Sequence, residues 1–216
     1  MRRSICTSSL LYTDRYKEGW VMTLGRPREF DKETAIVQAM RLFWRKGYEG
    51  TSMSDLTDEL GITRTSIYAA FGNKESLFLK VLDRYDQETA HFIDTSLNAP
   101  TSRAVAEGLL YGACAFHSET NNPAGCLMVH GALVGDDISE AVRKETRERR
   151  NRLTDRITER LARAQVEGDL RQNAKPAALA RYLVSVLRGI AVEAASGAKP
   201  DGLRDVADIA LTAWPS

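Results

Sequence analysis

The residues best suited to chemistry lie close together. Thr63-Arg64-Thr65-Ser66-Ile67-Tyr68 sets three short hydroxyls, one guanidinium and one phenol within about a turn and a half of chain. Hydroxyls can bond base edges or phosphate oxygens, and arginine pairs bidentately with guanine, so this set suits reading a major groove. Two cysteine–histidine pairs offer a second chemistry. Cys114 and His117 are three apart, and Cys126 and His130 are four apart. Each pair shares a helix face, so a tetrahedral Cys2His2 zinc site is conceivable. These residue types are also routine in helix cores, and the two faces need not meet, so no metal is assigned. Neither pair has a third orienting partner or an oxyanion-hole motif at a readable position. We therefore assign no catalytic residue and no cofactor, and read the chain as not an enzyme. Pro123-Ala124-Gly125-Cys126 puts Cys126 just after a turn near a helix start, where the dipole lowers a thiol pKa. A buried, inert cysteine is the other reading of the same residues.

The reading set needs a scaffold, and the flanking chain supplies one. A first helix is expected over about residues 31–46, with Ile36, Ala39, Met40, Phe43 and Trp44 on one stripe and Gly47 ending it. Thr51-Ser52-Met53-Ser54 offers caps for a second helix, and Asp55 adds a carboxylate in its first turn. Gly61 stops that helix in the left-handed conformation that glycine adopts most cheaply. Thr63 caps the third helix, anchored by Ile67 and Phe71. Asn73 opens a fourth, whose apolar face runs through Leu77, Phe78, Val81, Leu82 and Tyr85 to about Leu97. On these residues alone, a plain helical hairpin buried in a core explains the pattern as well as a DNA reader does.

A resemblance separates the two. From residue 25 to 88 the chain resembles the DNA-binding domain of the TetR/AcrR family of bacterial transcription regulators. It does so through Ala39-x-x-Leu42-Phe43-x-x-x-Gly47-Tyr48-x-Gly50-Thr51-Ser52 and Leu56-Thr57-x-x-Leu60-Gly61-Ile62-Thr63. Ser66-Ile67-Tyr68-x-x-Phe71-Gly72-Asn73-Lys74-Glu75-x-Leu77 continues it. The resemblance implies an all-α protein: a three-helix helix-turn-helix domain over 25–88 (the motif itself at about 52–71), then a helical-bundle ligand-binding and dimerisation domain over 89–216. Residues 1–24 are expected to form a poorly ordered extension. Arg26, on a Gly-Pro arm, is a candidate for a narrow minor groove, where negative potential is enhanced; a merely solvated arm is the other reading. Thr51, Tyr68 and Lys74 are expected to hold phosphates, and Arg64, Thr65 and Ser66 to read bases, with Ser52 and Thr63 beside them at the helix starts. Thr65, where the family often has Gly or Ala, and Ala69-Ala70, where bulkier residues are frequent, leave the operator sequence open.

The rest of the chain reads as helices too. Asn98-Ala99-Pro100 breaks the fourth, and helices follow over about 101–118, 125–134, 139–167 and 176–195, with a last one through Trp214. The arginines of 139–167 alternate with Glu and Asp, the pattern of a solvated, salt-bridged face. Leu179, Tyr182, Leu183, Val186, Ile190, Val206 and Ile209 make wide apolar faces on the last two helices. Such faces suit either a four-helix interface between two copies or packing within one chain, and the family dimerises in the first way. The family and the helix count imply a pocket for an unknown small-molecule effector, with Tyr111, Phe116, Cys126, Met128, Tyr182 and Leu187 as wall candidates. Gly125-Cys126-Leu127-Met128-Val129 also resembles a subgroup that includes electrophile- and oxidant-responsive repressors.

Composition agrees with a regulator. Net charge is only +1, yet residues 1–28 carry six Lys or Arg against Asp14 and Glu18, a basic arm facing a mildly acidic remainder. Three widely spaced cysteines do not make a disulfide framework. No apolar run approaches the ~20 residues of a membrane span, and the first residues are too weakly apolar for a signal peptide. The expected protein is a cytoplasmic, DNA-binding, effector-released repressor that pairs with itself and with double-stranded operator DNA. The alternative is a helical small-molecule-binding or thiol-sensing protein without DNA binding.

Overall fold

The computed structural model describes residues 30–119, 122–130 and 139–215. Arg26, the basic arm and the 1–24 extension lie outside the described residues, as does the side chain of His130. Nine helices and no strand occur among the described residues: α1 (Lys32–Lys46), α2 (Met53–Leu60), α3 (Arg64–Phe71), α4 (Lys74–Leu97), α5 (Ser102–Ser118), α6 (Leu127–His130), α7 (Glu140–Val166), α8 (Pro176–Ala195) and α9 (Pro200–Thr212).

Local signals account for most of the boundaries. Asp31 caps α1 by accepting from the backbone N–H of Glu33 and Thr34. Ser52 and Asp55 cap α2 reciprocally: Asp55 N–H donates to Ser52 Oγ at 3.0 Å, and Ser52 N–H donates to Asp55 Oδ2 at 2.8 Å. Gly61 ends α2 at φ 63°, ψ 24°, the left-handed conformation that costs other residues a Cβ clash. Thr63, Asn73, Thr101 and Ser139 each cap the following helix through the side-chain oxygen.

Two apolar clusters organise the packing. The first joins α1–α3 to the N-terminal half of α4 around Phe43, Phe78, Leu56 and Ile67, all fully buried. It does not stop there, because Phe116, Leu127, Met128 and Val142 belong to it. The second cluster collects α5, α7, α8, α9 and the C-terminal end of α4. Helix α4 therefore runs unbroken from one cluster to the other; its 24 residues span about 36 Å. Gly108 lets α5 approach it closely: a Cβ there would lie 3.2 Å from the Ser96 Cα.

Three expectations need correcting. Leu183 and Ile190 are fully buried within the single chain, against α5, α7 and α9, and so cannot contribute surface to a second copy. Tyr182 donates its hydroxyl to Ala210 O at 3.0 Å and belongs to the α8–α9 seam. Leu179 and Val186 are half-buried, whereas Val206 and Ile209 stay exposed, Ile209 at 70%. Helix α7 is also not a merely solvated face. Arg149 reaches α4 with bonds of 2.6 Å to both Asp83 and Asp86, and Arg156 pairs with Asp94. Arg160 is buried and donates to Leu97 O, Ala99 O and Pro100 O, capping the C-terminal end of α4. Arg149, Arg156 and Arg160, at i, i+7 and i+11, fall on one helical stripe, as do Asp83, Asp86 and Asp94 on α4. That matched charge spacing was the available signal.

Candidate functional site

Helix α3 presents two faces. Ile67 and Phe71 are buried beneath it, and Phe30 tilts against Phe71 at 5.9 Å. Arg64, Thr65, Tyr68 and Ala69 point away and are exposed, Tyr68 at 44%. Positions 64, 65, 68 and 69 repeat at i, i+1, i+4 and i+5, so they form one outward row. Arg64 and Tyr68 organise each other: Nη2 lies 3.3 Å from the phenol oxygen, and the guanidinium carbon 5.7 Å from the ring centre. Thr63 Oγ1 accepts from Ser66 N–H at 3.2 Å and meets Ser66 Oγ at 2.9 Å. These two hydroxyls start the helix, with Thr63 exposed and Ser66 half-buried.

The flanking positions divide. Thr51 does not reach the surface: it is fully buried, and its hydroxyl donates to Gly47 O at 2.7 Å. Its expected phosphate contact is replaced by a structural one that closes the α1–α2 turn. Ser52 is exposed, but its hydroxyl donates to Asp55 Oδ2 at 2.6 Å within the cap. Lys46 and Ser52 together hold the Asp55 carboxyl well below the usual carboxylate range. Lys74 sits in the first turn of α4 with its ammonium 4.3 Å from the Tyr48 ring centre. Burial lowers its pKa, opposed by Glu49 and Asp55. Tyr48 is thus a residue the sequence reading missed: stacked on Phe43, it is the shelf for Lys74.

A second site lies further along α4, from Tyr85 onward. Helices α4, α5, α7 and α8, with the segment leading into α6, enclose a cavity of about 370 Å³. Of the expected wall residues, Phe116, Cys126, Met128 and Leu187 line it. Tyr111 and Tyr182 do not. Tyr111 bonds Asp208 of α9 at 2.6 Å, and Tyr182 faces the same helix. Phe92, Ile93, Arg150 and Arg188 line the cavity as well and were missed. Of the two readings of Cys126, the buried one fits the structure. Burial pushes its thiol pKa up, against the smaller opposing pull of the Tyr85 hydroxyl and two backbone N–H groups. Tyr85 lies 3.2 Å from the sulfur and is itself buried. A four-residue helix supplies too little dipole to reverse the desolvation. Cys114 packs in the other cluster, its thiol donating to Leu203 O, so the two cysteines do not share a site.

The two sites touch through Trp44. Its indole Nε1 donates to the buried Gly125 O at 3.0 Å, and its ring stacks on Phe116 and meets Tyr85 edge-on. No helix among the described residues is long and apolar enough to cross a membrane.

Comparison with known proteins fits this geometry. A family model described as "Bacterial regulatory proteins, tetR family" matches residues 35–81, and "Tetracyclin repressor-like, C-terminal domain" matches residues 107–214. The HTH-type transcriptional repressor ComR of Escherichia coli (strain K12) is 31% identical over 194 residues, 88% of this chain and 92% of ComR. The uncharacterized HTH-type transcriptional regulator YezE of Bacillus subtilis (strain 168) is 30% identical over 192 residues, 88% of this chain and 98% of YezE. Among solved structures, a cysteine mutant of the TetR family transcriptional regulator CifR, complexed with 26bp double-strand operator DNA, is similar at a TM-score of 0.83. Its identity is 38%, covering 88% of this chain and 100% of that one. These relatives are transcriptional regulators rather than enzymes.

Proposed function

Because the chain belongs to the TetR family of bacterial transcriptional regulators, we propose that it is a cytoplasmic repressor that binds a near-palindromic operator as a homodimer and releases it when a small molecule fills the α4–α8 cavity. The observation that carries this reading is the outward row Arg64, Thr65, Tyr68 and Ala69, held rigid by buried Ile67 and Phe71. Each subunit lays α3 in a major groove, so a two-fold dimer reads two half-sites about one helical turn, or a multiple of it, apart. Arg64 contacts a guanine edge, while Tyr68 and Lys74 hold phosphates. CifR, solved on double-strand operator DNA, supports that choice of partner. The exposed Val192, Val206 and Ile209 support a second copy across α8 and α9, which would take their carbon out of water.

Helix α4 is the mechanical link. It begins at Lys74 and passes along the cavity, with Asp83 and Asp86 clamped by Arg149. A ligand that fits one tilt of α4 better than another shifts the population by its difference in affinity, and the two α3 helices change spacing with it.

Arg64→Ala tests the reading. It should cost ~1–3 kcal/mol on the operator and relax base preference at one position per half-site, read by binding-site selection and anisotropy titration. An unchanged consensus would remove Arg64 from base reading. A wild-type chain that bound no duplex even at low salt would leave the alternative, a ligand-binding helical protein without DNA.

A further inference from the structure

The cavity's charges do not cancel. Five arginines line it, with Asp86 and Asp94 as the carboxylates. Three of the five are engaged. Arg149 bonds Asp83, Asp86 and Glu145 at 2.6–2.7 Å, Arg156 bonds Asp94, and Arg152 approaches Glu145 at 3.6 Å. Arg150 and Arg188 are left. Arg150 donates through Nε to Thr146 O at 3.3 Å, and neither has a carboxylate within 4.0 Å among the described residues. Arg150 is half-buried, and its charge is disfavoured first by desolvation and then by Arg188. Two guanidinium groups on adjacent helices thus repel each other at a partly dry wall.

Among the described residues, no carboxylate relieves this. The Cys126 thiol beside them is kept protonated by burial, so it supplies no anion. Both lining carboxylates already have partners, so among the described residues a cationic ligand finds no free counter-charge. Much of the remaining wall is apolar, with Phe92, Ile93, Phe116 and Leu187, beside Thr89 and His117. A guanidinium fork matches a carboxylate bidentately, and the bond strengthens as water leaves.

We propose that this cavity takes an organic anion, a carboxylate carried on a short apolar body, with the carboxylate at Arg150 and Arg188 and the body against Phe116 and Leu187. This rests on the reading of the cavity as the effector site and names the class of effector.

The probes are octanoate, 1-octanol and n-octylamine, titrated calorimetrically into the full chain at constant ionic strength. Octanoate should bind at least about tenfold more tightly than octanol, and octylamine more weakly than either. Arg188→Gln, at an exposed position, and Arg150→Gln should each remove about tenfold from octanoate affinity and leave octanol alone. Should Arg150→Gln not fold, Arg150→Lys keeps the charge without the fork and should give an intermediate loss. Equal affinity for octanoate and octanol, no octanoate binding, or octanoate binding indifferent to both arginines would each overturn the proposal. Operator affinity measured with and without octanoate separates the two layers. Arginine-dependent octanoate binding that leaves operator affinity unchanged upholds the anion site and overturns its role as the trigger.

Discussion

Trp44→Phe is the substitution that bears most directly on how the cavity and the DNA-reading domain communicate. Trp44 is 2% exposed, and its Nε1–H···O=C bond to Gly125 ties α1 to the turn that delivers Cys126 to the cavity. Phenylalanine keeps an aromatic ring against Phe116 and Tyr85 but deletes the donor. The buried Gly125 carbonyl then loses its partner, which costs ~1–3 kcal/mol. The smaller ring also leaves a gap, adding ~1 kcal/mol. A total of ~2–4 kcal/mol should lower Tm by about 4–16 °C for a chain of this size, measured by calorimetry at fixed protein concentration because an oligomer's Tm depends on it. The second measurement is the ratio of operator affinities without and with octanoate. If Trp44 transmits the state of the cavity, that ratio falls toward one in the variant, although none of the α3 side chains has changed. A Tm shift below about 1 °C would refute the energetic reasoning. A lowered Tm with an intact ratio would make Trp44 a core residue and place the coupling in α4 alone.

Lys74→Ala should weaken operator and random duplex alike and reduce the salt slope by about one per subunit, because its ammonium, shelved on Tyr48, acts as a point charge; a loss confined to the operator would make it a base reader. Thr51→Val should lower stability by ~1–2 kcal/mol by leaving Gly47 O unpaired, with little change in phosphate-dependent binding once the folded fraction is matched; an undiminished melting point together with a reduced salt slope would reinstate the phosphate role. Cys126 should alkylate more slowly at pH 7 than a free thiol, with the rate climbing as pH rises through its elevated pKa, since thiolate is the nucleophile. The sign for stability is the same: a folded-state pKa above the unfolded one favours folding below the unfolded value, and that contribution fades as pH rises through the folded value. Rapid alkylation at pH 7 would contradict the burial argument.

What was legible in the chain by itself was local. The caps Asp31, Ser52, Thr63 and Asn73 and the αL glycine Gly61 work through backbone groups within four residues, so their helices could be placed from spacing alone. The outward row on α3 was legible for the same reason, because Ile67 and Phe71 define the opposite face of the helix. What covers an apolar stripe is a different matter. Leu183 and Ile209 look alike in sequence, yet one is fully buried and the other 70% exposed, because the crossing of α8 with α5 and α9 decides which stripe finds a partner. The arginines of α7 posed the same problem. Their period was visible, but only the packing of α7 beside α4 turns Arg149 and Arg160 inward and leaves Arg150 facing the cavity. Thr51 was misplaced, and the two readings of Cys126 stayed open, because exposure and desolvation are sums over neighbours distant in sequence. A hydroxyl beside a helix start and a thiol after a turn carry no record of whether α1 or Tyr85 will close over them. The tertiary structure decided both, since removal from water is a property of the assembled surroundings rather than of the local chain.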